Sequence, residues 1–235
     1  MYKLILAMAT ILFFASCEKE KRECPSSTEK TFALTGFNRI SAGETFGIDI
    51  KQGAAFSIKA KGCSNDLNDL NLSIDQTGKI LSISYDRYRN DRYRVDFEIT
   101  MPILNSVALS GAATGTVNGF GQQTSSLRAI LSGTAKCTIN QFPALVAAEQ
   151  SGESVLNLTG ASSDLIANLS GNSKLNAYTA TFAEADVYTS GTSKVYVQVQ
   201  NHLFASASGD SRVYYKGNPA NVTAEQSGTA KVIHE

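Results

Sequence analysis

Ser-Gly pairs recur at a near-constant interval through the C-terminal half of the chain: Ser110-Gly111, Ser132-Gly133, Ser151-Gly152, Ser170-Gly171, Ser190-Gly191, Ser208-Gly209 and Ser227-Gly228. Successive serines lie 22, 19, 19, 20, 18 and 19 residues apart. Self-similarity at such a period marks a stacked repeat. Beyond each pair, inward-type residues alternate with polar ones, as in Ala135, Cys137, Ile139 and in Ser193, Val195, Val197. The same parity continues before each pair, as in Leu165 and Ala167 or Leu203 and Ala205. Period-2 alternation predicts half-buried strands, so each unit holds two short strands around a glycine corner. One such unit cannot bury its own apolar face, whereas equivalent strands stacked in parallel share one interior. The expectation is an all-β chain whose residues 105–235 form a parallel β-solenoid of short coils, with the right-handed winding that parallel crossovers favour.

Glycine suits a corner that needs positive φ or close backbone approach, and a stacked serine hydroxyl can bridge neighbouring coils. The serines are therefore read as corner residues with no catalytic role. The narrow interior, filled by Ala, Ser, Val and Leu, leaves no room for a cofactor, and none is expected. Cys137 falls at an inward position and reads as a buried free thiol. Cys24 and Cys63 can pair only if the N-terminal segment folds back. His202 and His234 are far apart in sequence, and the cysteine spacings match no metal site.

Residues 1–16 combine Lys3, an apolar run from Leu4 to Phe14 and the small residues Ala15-Ser16, which is the pattern of an export signal too short to span a bilayer. The Cys17 that follows resembles the lipobox cysteine of bacterial lipoproteins, although Phe14 stands where leucine is usual. The resemblance implies a diacylated Cys17, a lipid anchor and a cell-envelope location, with the outer membrane as the expected site. Residues 17–31 are charged and polar and read as a flexible tether.

Residues 32–104 carry strand patterns without the Ser-Gly phase, including Gly47–Lys51, Phe56–Ala60, Ile80–Tyr85 and Val95–Ile99, with one helical turn near Asn65–Leu70. They read as a β-rich half that caps one end of the solenoid. The order Gly36-Phe37-Asn38-Arg39-Ile40, Ile48-Asp49-Ile50-Lys51-Gln52-Gly53, the hairpin around Gly78, and Ile99-Thr100-Met101-Pro102 leading into Ser106–Gly111 resembles the "putative auto-transporter adhesin, head GIN domain" family. That resemblance implies a β-solenoid in the cell envelope, and it supplies no catalytic residue.

Four and six residues after each serine the outward positions define two vertical rows. In the last coils they bring Lys174, Lys194, Arg212 and Lys231 beside Tyr196 and Tyr214. Such a face can bind a glycan, an acidic polymer or another envelope or host surface component through cations and aromatic rings. It can equally be a solvated strand face whose stacked cations discourage aggregation. A second basic cluster, Arg87-Tyr88-Arg89-Asn90-Asp91-Arg92-Tyr93-Arg94, reads as a surface loop. Nucleic acid is not an expected partner, because the formal charge of the chain is +0. A polysaccharide-acting enzyme needs two carboxylates across the scissile bond. Glu153 and Asp210 share an outward corner position but lie three coils apart, and Glu184 and Asp186 have no predictable neighbours. The expectation is a non-enzymatic adhesion or binding module. Self-association through the terminal coil is the alternative, since an uncovered last coil presents an unpaired edge.

Overall fold

The computed structural model describes Cys24, residues 26–123 and residues 126–235. The expected signal segment, Cys17 and most of the expected tether lie outside these residues.

After β1 (Ser27–Phe32), the chain forms a first coil from β2 (Arg39–Ala42) and β3 (Gly47–Gln52). β4 (Ser57–Cys63), α1 (Ser64–Asn68) and β5 (Leu70–Asp75) follow, and β6 (Ile80–Tyr85) and β7 (Asp96–Met101) make a second coil. The stack then grows from the opposite edge of β2 and β3. Its strands are β8 (Ser106–Leu109), β9 (Thr114–Asn118), β10 (Leu127–Leu131), β11 (Lys136–Asn140), β12 (Leu145–Gln150), β13 (Val155–Leu169), β14 (Lys174–Thr189), β15 (Lys194–Ala207), β16 (Arg212–Lys216), β17 (Asn221–Gln226) and β18 (Lys231–His234). One long side pairs β6, β2, β8, β10, β12, the C-terminal parts of β13, β14 and β15, and β17, all in parallel. The other pairs β7, β3, β9, β11, the N-terminal parts of β13, β14 and β15, then β16 and β18, again in parallel. The molecule is a parallel β-solenoid with coils of the expected length.

From Gly111 onward a Ser-Gly pair makes one corner of every coil, where the first long side turns into the second. These glycines have φ between 62 and 72°. A Cβ added to any from Gly133 to Gly228 would lie 2.6–2.9 Å from the carbonyl oxygen of the corner glycine one coil earlier. That oxygen accepts the N–H of the residue after the glycine at 2.8 Å in each of these coils, from Thr134 to Thr229. Glycine is thus required twice, by the left-handed backbone and by the coil beneath. The serine hydroxyls are used between coils, with Ser170, Ser190 and Ser208 donating to the carbonyls of Gln150, Leu169 and Thr189 at 3.3–3.4 Å.

Parallel coiling begins earlier than the Ser-Gly pairs, already with β2 and β3. Their corner is Gly43-Glu44, with Glu44 at φ 54° in the place of the glycine, and its carbonyl accepts the Ala112 N–H at 2.7 Å. The segment 86–95 takes the corner at the level of β6 and β7 and contains no glycine, so no ladder glycine lies on that side of Glu44. The antiparallel cap is confined to β4 on β7, β1 on β4, and β5 on β6. The expected tether also ends sooner, because residues 27–31 are part of β1 and register with Lys59–Cys63 of β4. Cys24 is disulfide-bonded to Cys63 with their Cα atoms 5.6 Å apart, so the chain does fold back.

The interior is wider than two strands around a corner would give. A short third side around residues 160–163 and 179–183 lets Phe142 and Phe182 stack at 5.9 Å inside the coil, and Phe182 registers with Ser162 and Val199. Cys137 is buried as expected, and burial pushes its thiol up to about 12. Inward serines next to the corner are also buried; Ser193 and Ser211 donate back to the Ser190 and Ser208 carbonyls at 2.8 Å, closing the turn.

Candidate functional site

Strand register fixes what the outer face displays. Lys174, Lys194, Arg212 and Lys231 are consecutive register partners on β14, β15, β16 and β18, so their charges repeat at the strand spacing of about 4.8 Å. Beside them Tyr196 registers with Tyr214, and the two rings stack at 4.9 Å and 7°. Tyr178 meets Tyr196 edge-on at 5.5 Å. The ammonium groups of Lys174 and Lys216 lie 4.9 Å from the Tyr196 ring and 4.4 Å from the Tyr178 ring. The Tyr178 hydroxyl donates to Glu235 at 2.7 Å. Arg212 pairs with Asp210 at 2.9 Å. Lys136, Lys174, Lys194, Glu153 and Tyr196 line a shallow depression of about 550 Å³ on this face.

The face is electrostatic more than it is a stacking platform. Tyr196 carries Tyr214 against its ring and a lysine ammonium over it, so its π-surface is engaged within the protein. Burial, and next the neighbouring Tyr214, raise the Tyr196 phenol above its usual range. Burial, and next the Glu235 hydrogen bond, raise that of Tyr178. Both remain neutral hydroxyls at ordinary pH. The arrangement offers a row of cations bordered by phenol groups, suited to a chain of carboxylates, sulfates or phosphates lying across the strands. Tyr178 and Lys216 extend the expected set. They stand eight residues after Ser170 and Ser208, one outward step beyond the two rows read from the sequence, so parity carried further finds them.

Glu153 and Asp210 remain three coils apart, about 14 Å at the strand spacing, and Asp210 is engaged by Arg212 and Thr229. Asp164 and Glu184 are register partners, with His202 next in the row. Among the described residues no group of three or more His, Cys, Asp or Glu is placed to hold a metal ion. On the other long side, a groove of about 730 Å³ runs beside the corner serines, between Glu149, Asn168 and Tyr188.

The second basic cluster is a surface loop, as expected, and it is clamped from beneath. Arg89 reaches Asp66 at 2.9 Å and Asp69 at 3.1 Å; Arg92 reaches the same pair at 3.3 and 3.1 Å. Asp66 also accepts the Tyr93 N–H at 3.0 Å, and the Arg92 guanidinium lies 3.6 Å from the Tyr85 ring centroid. Both aspartates are buried, so the arginines bind the loop to α1 and its C-cap, Asp69. The hydrogen bond from Arg87, above all, holds the Asp69 carboxyl down at about 2, against the 3.8 of a free side chain. A depressed carboxyl contributes stability above its unfolded value, about 3.9, which is lost as pH falls through the folded one. The protection factor of the Tyr93 amide, that is its exchange corrected for the intrinsic pH dependence of exchange, is therefore expected to fall between about pH 4 and pH 2, with that step absent in Asp69→Asn. A profile identical in the variant would show that Asp69 does not fasten the loop.

Residues 36–219 match the family described as "Putative auto-transporter adhesin, head GIN domain". No curated protein matches the chain in sequence. Among solved structures, a putative adhesin from Bacteroides fragilis superposes with a TM-score of 0.80 at 15% identity, covering 90% of this chain and 98% of its own. A putative adhesin from Parabacteroides merdae gives 0.69 at 16% identity, covering 90% and 97%. A putative lipid binding protein from Parabacteroides distasonis gives 0.67 at 12% identity, again covering 90% and 97%. At these identities the likeness is one of fold.

Proposed function

Because the chain belongs to the putative auto-transporter adhesin, head GIN domain family, we propose that it is a non-enzymatic binding module of the cell envelope that holds acidic polymers on its Lys/Arg and Tyr face. Lys174, Lys194, Arg212 and Lys231 supply the charge, while Tyr196 and Tyr214 border it with hydroxyl groups. The observation that carries this reading is the in-register stack of four cations on successive coils. A rigid row of like charges is stabilised by a ligand whose own charges repeat, and the Ser-Gly corners fix that row without any ligand bound. In this reading diacylated Cys17 anchors the protein to the outer membrane, and the acidic polymer is an anionic glycan of the envelope or of a host surface.

Immobilised polygalacturonate and dextran sulfate test the charge requirement against neutral dextran. Retention is expected on the two acidic polymers, weakening as salt is raised, because exposed ion pairs are screened within about 10 Å at 0.1 M. Equal retention on neutral dextran, or retention indifferent to salt, would remove the reading.

A further inference from the structure

The tether, the disulfide and the arginine loop meet at one corner of the cap. Cys63 ends β4, and its neighbour Gly62 packs so closely on the loop that a Cβ there would lie 2.8 Å from Val95 Cγ2 and 3.5 Å from the Arg94 carbonyl oxygen. Cys24 is bonded to Cys63, so the tether leaves the fold beside the loop. Seven residue steps separate Cys24 from Cys17, at most about 25 Å of extended chain. At the tip of the loop Tyr88 is 87% exposed, against 46% for Ile103, the next most exposed large apolar side chain among the described residues. Below it, the ion pairs with Asp66 and Asp69 hold the loop to the cap. Opposite this end, eight strand steps lead from β6 to β17, about 38 Å at the strand spacing.

We propose that this corner of the cap, led by Tyr88, rests on the lipid–water interface, and that the solenoid projects from it with the Lys/Arg and Tyr face at the distal end. The proposal depends on the lipid anchor at Cys17. A tyrosine ring with a polar tip suits the interface, where one end meets apolar chains and the other meets water. The loop arginines are offset by Asp66, Asp69, Asp91 and Asp96, so the contact does not require anionic lipid. The disulfide gives the orientation its permanence, because it keeps the tether from leaving the fold farther along the chain.

The chain contains no tryptophan, so one introduced residue is a unique reporter. The test uses full-length acylated protein in phosphatidylcholine vesicles carrying a headgroup-attached spin-label quencher, with Tyr88→Trp and, on the last coil, Val222→Trp. Flotation with the vesicles is measured first. Both variants are expected to float, with several-fold stronger quenching at position 88 than at position 222, unchanged when phosphatidylglycerol is added. Failure to float would overturn the Cys17 anchor and the orientation with it. Flotation with equal quenching at the two positions, or stronger quenching at 222, would overturn the orientation while leaving the anchor in place.

Discussion

Gly191→Ala is expected to lower stability by roughly 3 kcal/mol, whereas Gly36→Ala lowers it by roughly 1 kcal/mol. The two glycines share a left-handed backbone, with φ of 70° and 84°, so the conformational cost of a side chain is common to both. Their surroundings differ. At Gly36 a Cβ meets nothing within 4 Å, while at Gly191 it lies 2.6 Å from the Gly171 carbonyl oxygen. That oxygen accepts the Thr192 N–H at 2.8 Å, so it cannot retreat without opening the spacing between coils. Urea unfolding of the two variants separates the backbone cost from the stacking cost. Equal losses would mean that the corner needs glycine only for its dihedral angles, and the stacked corner would lose its explanation.

Removing the disulfide with Cys24→Ser and Cys63→Ser is expected to cost up to about 4 kcal/mol, the closure entropy of a loop of this length in the chain-entropy account. The bridge joins residues 39 apart in sequence and encloses β1 to β4. Among the described strands β1 pairs with β4 alone, and it is largely exposed, so its own packing contributes little to holding it. Cys137 is buried and offers no substitute partner. A denaturation midpoint unchanged in the double variant would show that β1 is held by its strand pairing instead.

What was legible in the sequence is what a local period can encode. The Ser-Gly pairs mark corners directly, and counting from each serine assigns Cys137 inward and Lys194 and Tyr196 outward. Glu44 hides an equivalent corner, because a non-glycine residue can take the left-handed turn where no ladder glycine crowds it. Chain order also conceals stacking order. β6 and β7 follow β2 and β3 in sequence yet sit on the opposite side of them from β8 and β9, an arrangement that no alternation pattern specifies. The arginine loop is the surface loop its composition suggests, but its fastening was not legible, because the partners Asp66 and Asp69 stand about twenty residues earlier in an acidic turn with no pattern linking the two. Phe182 belongs to a third side that interrupts the two-strand rhythm. Within the Lys/Arg and Tyr face, the sequence placed the cations and tyrosines in rows but could not show that the rings would pack their faces against one another.

The most direct measurement of the central claim is the dissociation constant of polygalacturonate for Lys194→Ala combined with Arg212→Ala, beside a control with Lys59→Ala and Lys61→Ala. The control removes two cations from β4, away from the row, and leaves net charge equal between the variants. If the stacked row binds the polymer, the first variant weakens binding about tenfold, equivalent to about 1.4 kcal/mol, and its affinity depends less on salt, while the control binds as the unaltered protein does. Equal weakening in both variants would show that overall charge, and not the register of the solenoid, determines binding.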